Sequence, residues 1–311
     1  MAITRRELMA RLVAGAGVAS AQDRTANSPK VRLTPAISIH SEQFPKIGYD
    51  ELGGILRTLG FDGCVISVGA TGHVTPAHAD LDLMRFIEAT TGSGVDVPAL
   101  ATTFTSPSNP TVQLAFAVGN EMGIPVFRPG EWKYGEAPDL EKRTAEVQRE
   151  VLGFASLGNQ AQMAIALHNG AGDAFGASLW DIQAMIRGVN PRVIGYDFDI
   201  GYATAHGGVA GADAALRMVL PRLKMTTARD CFWSKAPEGG WKLTECPLGE
   251  GMVDWPRFFA ALARAHFTGP ILLAVDYGTT DELAPMRKDL EFLTKQRAAA
   301  YGRGRGGGDA C

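Results

Sequence analysis

Short apolar runs recur along the chain, and each is followed by a longer segment with helical periodicity. Residues 36–40 predict a first strand and 49–59 a helix; 63–68 and 81–91 repeat the pair. The pattern continues with a strand over 97–102 and helix over 110–122, then 125–128 and 139–157, then 163–168 and 178–187. It ends with 193–200 and 212–220, then 224–232 and 255–265, then 271–277 and 282–299. Apolar strands joined by crossover helices imply a parallel sheet. Eight such βα units predict an α/β fold, a closed (β/α)8 TIM barrel over residues 31–300, not an open doubly wound sheet. No GxGxxG follows the first strand, so a dinucleotide site has no support there.

Composition fits this picture. Hydrophobic residues make up 46% of the 311 positions and charged residues 20%, enough for a packed core. A net charge of −3 argues against an electrostatic nucleic-acid binder, and no nucleic acid is expected as a partner. Four cysteines are too few for a disulfide scaffold. Whether Cys231 and Cys246 pair stays open, because spacing does not fix the distance between two Cα atoms.

The two ends read differently from the barrel. Arg5 and Arg6 precede a weakly apolar Ala/Gly-rich stretch, and Ala19-Ser20-Ala21 offers a small-residue cleavage site. Residues 1–21 therefore predict a Tat signal peptide, with the Tat translocase as export partner and the periplasm as destination. Residues 22–30 read as a polar linker, and residues 301–311 as a disordered Gly-rich tail.

In a barrel of this kind the chemistry sits on the loops beyond the strands' C-terminal ends. The polar residues there are His40, Ser41 and Glu42 after the first strand and His73 after the second. Arg128, Glu131, Trp132, Lys133 and Tyr134 follow the fourth, and His168 and Asn169 the fifth. Asp197, Asp199, Tyr202 and His206 follow the sixth. Arg229, Asp230, Trp233 and Lys235 follow the seventh, and Asp276 and Tyr277 the eighth. Aromatic faces among hydrogen-bonding groups suit sugars. The run Cys246-Pro247-Leu248-Gly249-Glu250-Gly251-Met252-Val253-Asp254-Trp255 is the most distinctive segment. Asp254 is a natural N-cap there, and Glu250 is either a substrate ligand or a loop brace.

The segments GYDFDIGYATAHGG, ARDCFWSK, CPLGEGMVDW and FTGPILLAVDYG, in that order, resemble the xylose-isomerase-like TIM barrels, over roughly residues 31 to 295. The resemblance is strongest to exported sugar-phosphate isomerase/epimerase-like members, with the AP endonuclease 2-type barrels in the same superfamily. It implies four metal ligands on strands five to eight, usually Glu, Asp, His and Glu. Here those positions read His168, Asp199, Arg229 and Asp276. Arginine cannot ligate, since its guanidinium offers no lone pair. Two readings remain: His168, Asp199 and Asp276 hold Mn²⁺, Zn²⁺ or Mg²⁺, or Arg229 supplies the cation's charge.

The expected function is a sugar isomerase or epimerase acting by proton abstraction beside a carbonyl. Asp276 or Asp199 would be the base and His168 the acid, and Arg229, Lys235 or a metal would stabilise the enediolate. Substrate contacts would come from His73, Arg128, Trp132, Tyr134, Asn169, Tyr202, Trp233, Lys235 and Glu250. A periplasmic keto-glycoside lyase and a non-catalytic carbohydrate-binding barrel are the alternatives. The partner is a small carbohydrate, with a homodimer left open.

Overall fold

The computed structural model describes residues 32–136, 139–277 and 283–302. The signal and linker expectations, and the tail beyond Gly302, lie outside the described residues. The elements run β1 (Ile37–His40), α1 (Tyr49–Leu59), β2 (Gly63–Val68), α2 (Ala79–Gly92), β3 (Asp96–Thr102), α3 (Pro110–Glu121) and β4 (Val126–Arg128). They continue α4 (Leu140–Ala161), β5 (Ala164–His168), α5 (Leu179–Met185), β6 (Ile194–Asp199), α6 (Ile200–Val219) and β7 (Leu223–Ala228). A hairpin of β8 (Asp230–Lys235) and β9 (Trp241–Cys246) comes next, then α7 (Trp255–Arg264), β10 (Ile271–Leu273) and α8 (Leu283–Tyr301).

Strands β1 to β7 and β10 close into the expected parallel barrel, sealed where β1 pairs with β10. Each strand's inward positions alternate along the chain. Val65, Ala99, Ala101, Val126, Ala166, Met225 and Leu272 fill the lumen as a buried cluster. The larger apolar shell lies between sheet and helices, built from residues such as Phe86, Phe127, Phe154, Phe198 and Trp255. Alanines in the lumen take little volume and leave space toward the C-terminal mouth.

Local signals start and stop the helices. Asn109 caps α3 with Pro110 in its first turn, Asp139 caps α4, and Asp254 caps α7. Gly60 ends α1 in the left-handed region at φ 99°. α8 continues through Tyr301, whose hydroxyl donates to Phe267 O at 2.7 Å, so the packed chain reaches one residue into the segment read as tail.

Three elements differ most from expectation, the first being the eighth strand, expected over 271–277, which ends at Leu273 and leaves Asp276 three residues beyond it. The seventh strand, expected over 224–232, breaks at Arg229: β7 ends at Ala228, and β8 leaves the barrel to pair antiparallel with β9. The apolar Cys231-Phe232-Trp233 continues the strand pattern, which hides the break. The turn signal is nonetheless present in Pro237-Glu238-Gly239-Gly240, with Gly239 and Gly240 at φ 96° and 83°. The sixth helix begins at Ile200, directly after β6, because Asp199 caps it; Gly208 (φ 62°) interrupts its helical backbone.

Candidate functional site

The strand ends bring His168, Asp199 and Arg229 together at the C-terminal mouth, and Asp276 follows β10 beside them. Asp199 is fully buried and its backbone is clamped by Asn169: Asp199 N donates to Asn169 Oδ1 at 2.8 Å and Asn169 Nδ2 donates to Asp199 O at 3.0 Å. Asp199 Oδ1 accepts from Tyr202 N at 2.9 Å as the cap of α6. Oδ2 accepts from Arg229 Nε at 2.8 Å and lies 3.5 Å from His168 Nε2. Burial raises the Asp199 pKa, but Arg229 and then His168 outweigh it and hold the carboxyl below its usual range.

Arg229 is the centre of the cluster. Its Nη1 donates to Glu245 Oε1 at 2.6 Å and to Asp276 Oδ2 at 2.5 Å. Its guanidinium carbon stands 4.3 Å from the centre of the Tyr202 ring, a cation–π contact. The Tyr202 hydroxyl donates to Glu245 Oε1 at 2.8 Å. Burial works against the guanidinium, but Asp199, Asp276 and Glu245 raise its pKa well above the ordinary arginine value. Gly201 makes room for this corner: a Cβ there would meet Arg229 O at 2.7 Å.

On its other side His168 donates from Nδ1 to Glu131 Oε1 at 2.7 Å. Burial and Arg128 oppose its charge, yet Asp199 and Glu131 prevail and its pKa is raised. Burial raises the Glu131 pKa, but the His168 hydrogen bond leads the opposing causes and brings it down to about 2. The two form a charge-assisted pair at neutral pH. Glu131 also lines a cavity of about 300 Å³ with His40, Glu42, Ser67, Thr102, Thr103 and Arg128. Arg128 Nη1 is 3.1 Å from His40 Nε2 and 3.4 Å from buried Asp197 Oδ2, and Thr227 Oγ1 donates to Asp197 Oδ1 at 2.9 Å. Burial, reinforced by Arg128, pushes His40 well below the usual histidine value and keeps it neutral. Arg128 and His168 both face carboxylates, and Lys133 Nζ lies 3.6 Å from Glu131 Oε2.

Several expected substrate residues lie elsewhere. His73 is engaged by the backbone: its ring nitrogens sit 2.9 Å from Ser41 O and 2.8 Å from Ile47 O. Trp132 is buried edge-on against Phe154, and Tyr134 donates its hydroxyl to Asp181 while packing on Phe175. Trp233 donates to Ala205 O at 3.0 Å, and Lys235 lies over Trp241 on the hairpin arm. Glu250 pairs with Lys288 at 2.6 Å on the surface. Cys231 and Cys246 are free thiols; Cys231 faces Glu245 across the hairpin, and Cys246 faces Asp230.

The expected metal ligands do not fit a divalent ion. Arg229 stands between Asp199 and Asp276 and saturates them with a permanent cation that has no lone pair. Among the described residues, no group of three or more His, Cys, Asp or Glu is placed to hold a metal. Glu245 and Glu131 are the residues that sequence reasoning left unassigned. Glu131 was visible as a polar residue beyond a strand; Glu245 reaches the cluster only through the hairpin.

Residues 54–296 match the family described as Xylose isomerase-like TIM barrel. No curated protein matches the chain in sequence. Among solved structures, a Xylose isomerase-like TIM barrel protein from Mycobacterium smegmatis, in complex with magnesium, superposes with TM-score 0.64 at 17% identity, covering 86% of this chain and 98% of that one. The 3-keto-D-glucoside 4-epimerase of E. coli gives 0.66 at 13% identity, covering 84% and 99%. Mannonate dehydratase from Streptococcus suis gives 0.67 at 12% identity, covering 89% and 96%. At these identities the likeness establishes the fold.

Proposed function

Because the chain belongs to the xylose isomerase-like TIM-barrel family, we propose that it is a carbohydrate-modifying enzyme that moves a proton at a carbon next to a carbonyl. Two fold neighbours bear the names of a keto-glucoside epimerase and a sugar-acid dehydratase, which supports the substrate class. The observation that carries the reading is the arrangement at the mouth. Glu131 lines the cavity and pairs with His168, and His168 in turn reaches Asp199, which Arg229 holds together with Asp276 and Glu245.

Asp276 is the base: Arg229 holds its Oδ2, its Oδ1 meets only the weaker Gln43 Nε2 contact at 3.4 Å, and its side chain is 40% exposed, whereas Asp199 is buried with both oxygens engaged. It takes the proton from the carbon, and the electron pair moves onto the carbonyl oxygen to give an enediolate. Arg229 stabilises that developing charge. His168 is the acid, and its Nδ1 proton reaches the cavity through Glu131. Return of the proton to the other face epimerises; return to the neighbouring carbon isomerises. With a keto-glycoside, protonation of a leaving oxygen gives β-elimination instead.

The substrate is a neutral, unphosphorylated polyhydroxy carbonyl compound, a ketose or keto-glycoside. Hydroxyls of Ser67, Thr102 and Thr103 line the cavity, and its arginine is matched by Asp197 and Glu131. Such a substrate suits the periplasmic location proposed from the twin-arginine segment. Incubating the protein with ketoses and 3-keto-glycosides and following products by NMR tests the reading. Turnover of at least one supports it; saturable binding without turnover makes the protein a carbohydrate-binding barrel.

A further inference from the structure

A connected polar layer crosses the barrel near its mouth, from Thr227 on β7 through Asp197 on β6, Arg128 at the end of β4 and His40 at the end of β1 to Ser67 on β2. Arginine only donates hydrogen bonds, and this sets the direction of the protons along the layer. Arg128 Nη1 faces buried Asp197 Oδ2 at 3.4 Å, and Thr227 Oγ1 donates to the other oxygen at 2.9 Å. The same arginine nitrogen lies 3.1 Å from His40 Nε2, which is therefore the accepting nitrogen. Burial and Arg128 keep His40 neutral, and a neutral imidazole that accepts at Nε2 carries its hydrogen on Nδ1. Nδ1 is 3.2 Å from Ser67 Oγ, so His40 donates and the serine oxygen accepts.

The hydroxyl hydrogen of Ser67 is then left to point away from His40. The residue is held on both sides: Ser67 N donates to Ser41 Oγ at 3.0 Å, and Ser67 O accepts from Val74 N at 3.0 Å. Ser67 lines the cavity with Thr102, Thr103 and Glu131, and among the described residues no protein oxygen accepts its proton. We infer that Ser67 is a specificity-determining donor that gives its hydroxyl proton to one oxygen of the bound carbohydrate, and that His40, locked by Arg128, is the positioning residue that turns this proton into the cavity. The inference rests on the carbohydrate reading above and adds which protein atom selects the ligand. A ligand without an accepting oxygen at that place leaves the hydroxyl unpaired and is discriminated against.

Two measurements test it. On the intact protein, nitrogen-15 NMR of the imidazoles should show His40 protonated at Nδ1 and bare at Nε2, its signals identified by their loss in His40→Phe. Calorimetry then compares methyl 3-keto-α-D-glucoside and D-fructose with analogues that each lack one oxygen. For the probe that binds, Ser67→Ala should weaken affinity about tenfold, and so should one of the analogues. That analogue should bind Ser67→Ala as well as it binds the intact protein. His40→Phe should act in the same direction as Ser67→Ala and add little to it in the double variant. A His40 proton on Nε2 overturns the inference, as does a probe that binds the intact protein and Ser67→Ala equally. A probe that binds through Ser67 yet keeps its C–H proton in deuterium oxide retires the enzymatic reading and leaves this inference standing. If neither probe binds, both fall.

Discussion

Asp230 offers the sharpest test of how the mouth is held together. It is 1% exposed and begins the hairpin beside Arg229. Its Oδ1 accepts from Cys231 N at 3.0 Å and Val253 N at 3.2 Å; its Oδ2 accepts from Gly249 N at 2.9 Å and the Trp255 indole N–H at 2.9 Å. The loop wraps the carboxylate so closely that a Cβ on Gly251 would meet Oδ1 at 2.1 Å. Asp230→Asn keeps the shape but turns one oxygen into an NH2 group. Whichever way the amide lies, two N–H donors then face a donor. At about 1–3 kcal/mol for each buried group left unmet, the loss is about 4 kcal/mol. That is a large share of the 5–15 kcal/mol a domain of this kind commands, and on the order of 10 °C in melting temperature. Asp254→Asn is the control in the same loop, because asparagine caps a helix as well as aspartate does. Thermal denaturation followed by circular dichroism and tryptophan fluorescence reads both. If Asp230→Asn melts within a degree or two of the parent, or both variants fall equally, the reasoning fails.

The raised His168 pKa gives a pH signature. The folded state holds that proton more tightly than the unfolded chain. Its stabilisation is therefore full below the unfolded value of about 6.5 and is lost as pH rises through the folded value. Urea midpoints measured from pH 6 to 9 should fall more steeply for the parent than for His168→Gln; parallel slopes would refute this. His73→Ala should lower the melting temperature, because the ring's packing and its hydrogen bond to the Ser41 or Ile47 carbonyl are lost, while substrate affinity stays unchanged; a raised KM would return His73 to the site. Replacing Arg5 and Arg6 by lysine should hold the precursor in the cytoplasm, and an undiminished periplasmic yield would defeat the export proposal.

The barrel was legible because each strand is an apolar run bounded by a turn signal. His168, Asp199 and Arg229 could be grouped because they end consecutive strands, and parallel strands all end on one face. What stayed hidden depends on contacts between distant segments. Glu245 looks like an ordinary polar residue until β9 folds back and sets it opposite Cys231. The role of Asp199 as the cap of α6 was obscured by Gly201, Gly207 and Gly208, which weaken the helical pattern of that stretch. His73, Trp132 and Tyr134 share the polar or aromatic character of binding residues. Only packing shows that backbone carbonyls, Phe154 and Asp181 claim them.

The central claim is proton transfer at the carbon beside a carbonyl, and hydrogen exchange with solvent tests it most directly. A ketose or 3-keto-glycoside that the protein binds is incubated with it in deuterium oxide, and the adjacent C–H signal is followed by proton NMR. The account predicts that the signal washes out with the intact protein, and does so at least about 100-fold more slowly with His168→Gln or Asp276→Asn. A bound keto-sugar that keeps its proton, or loses it equally fast with both variants, contradicts the account.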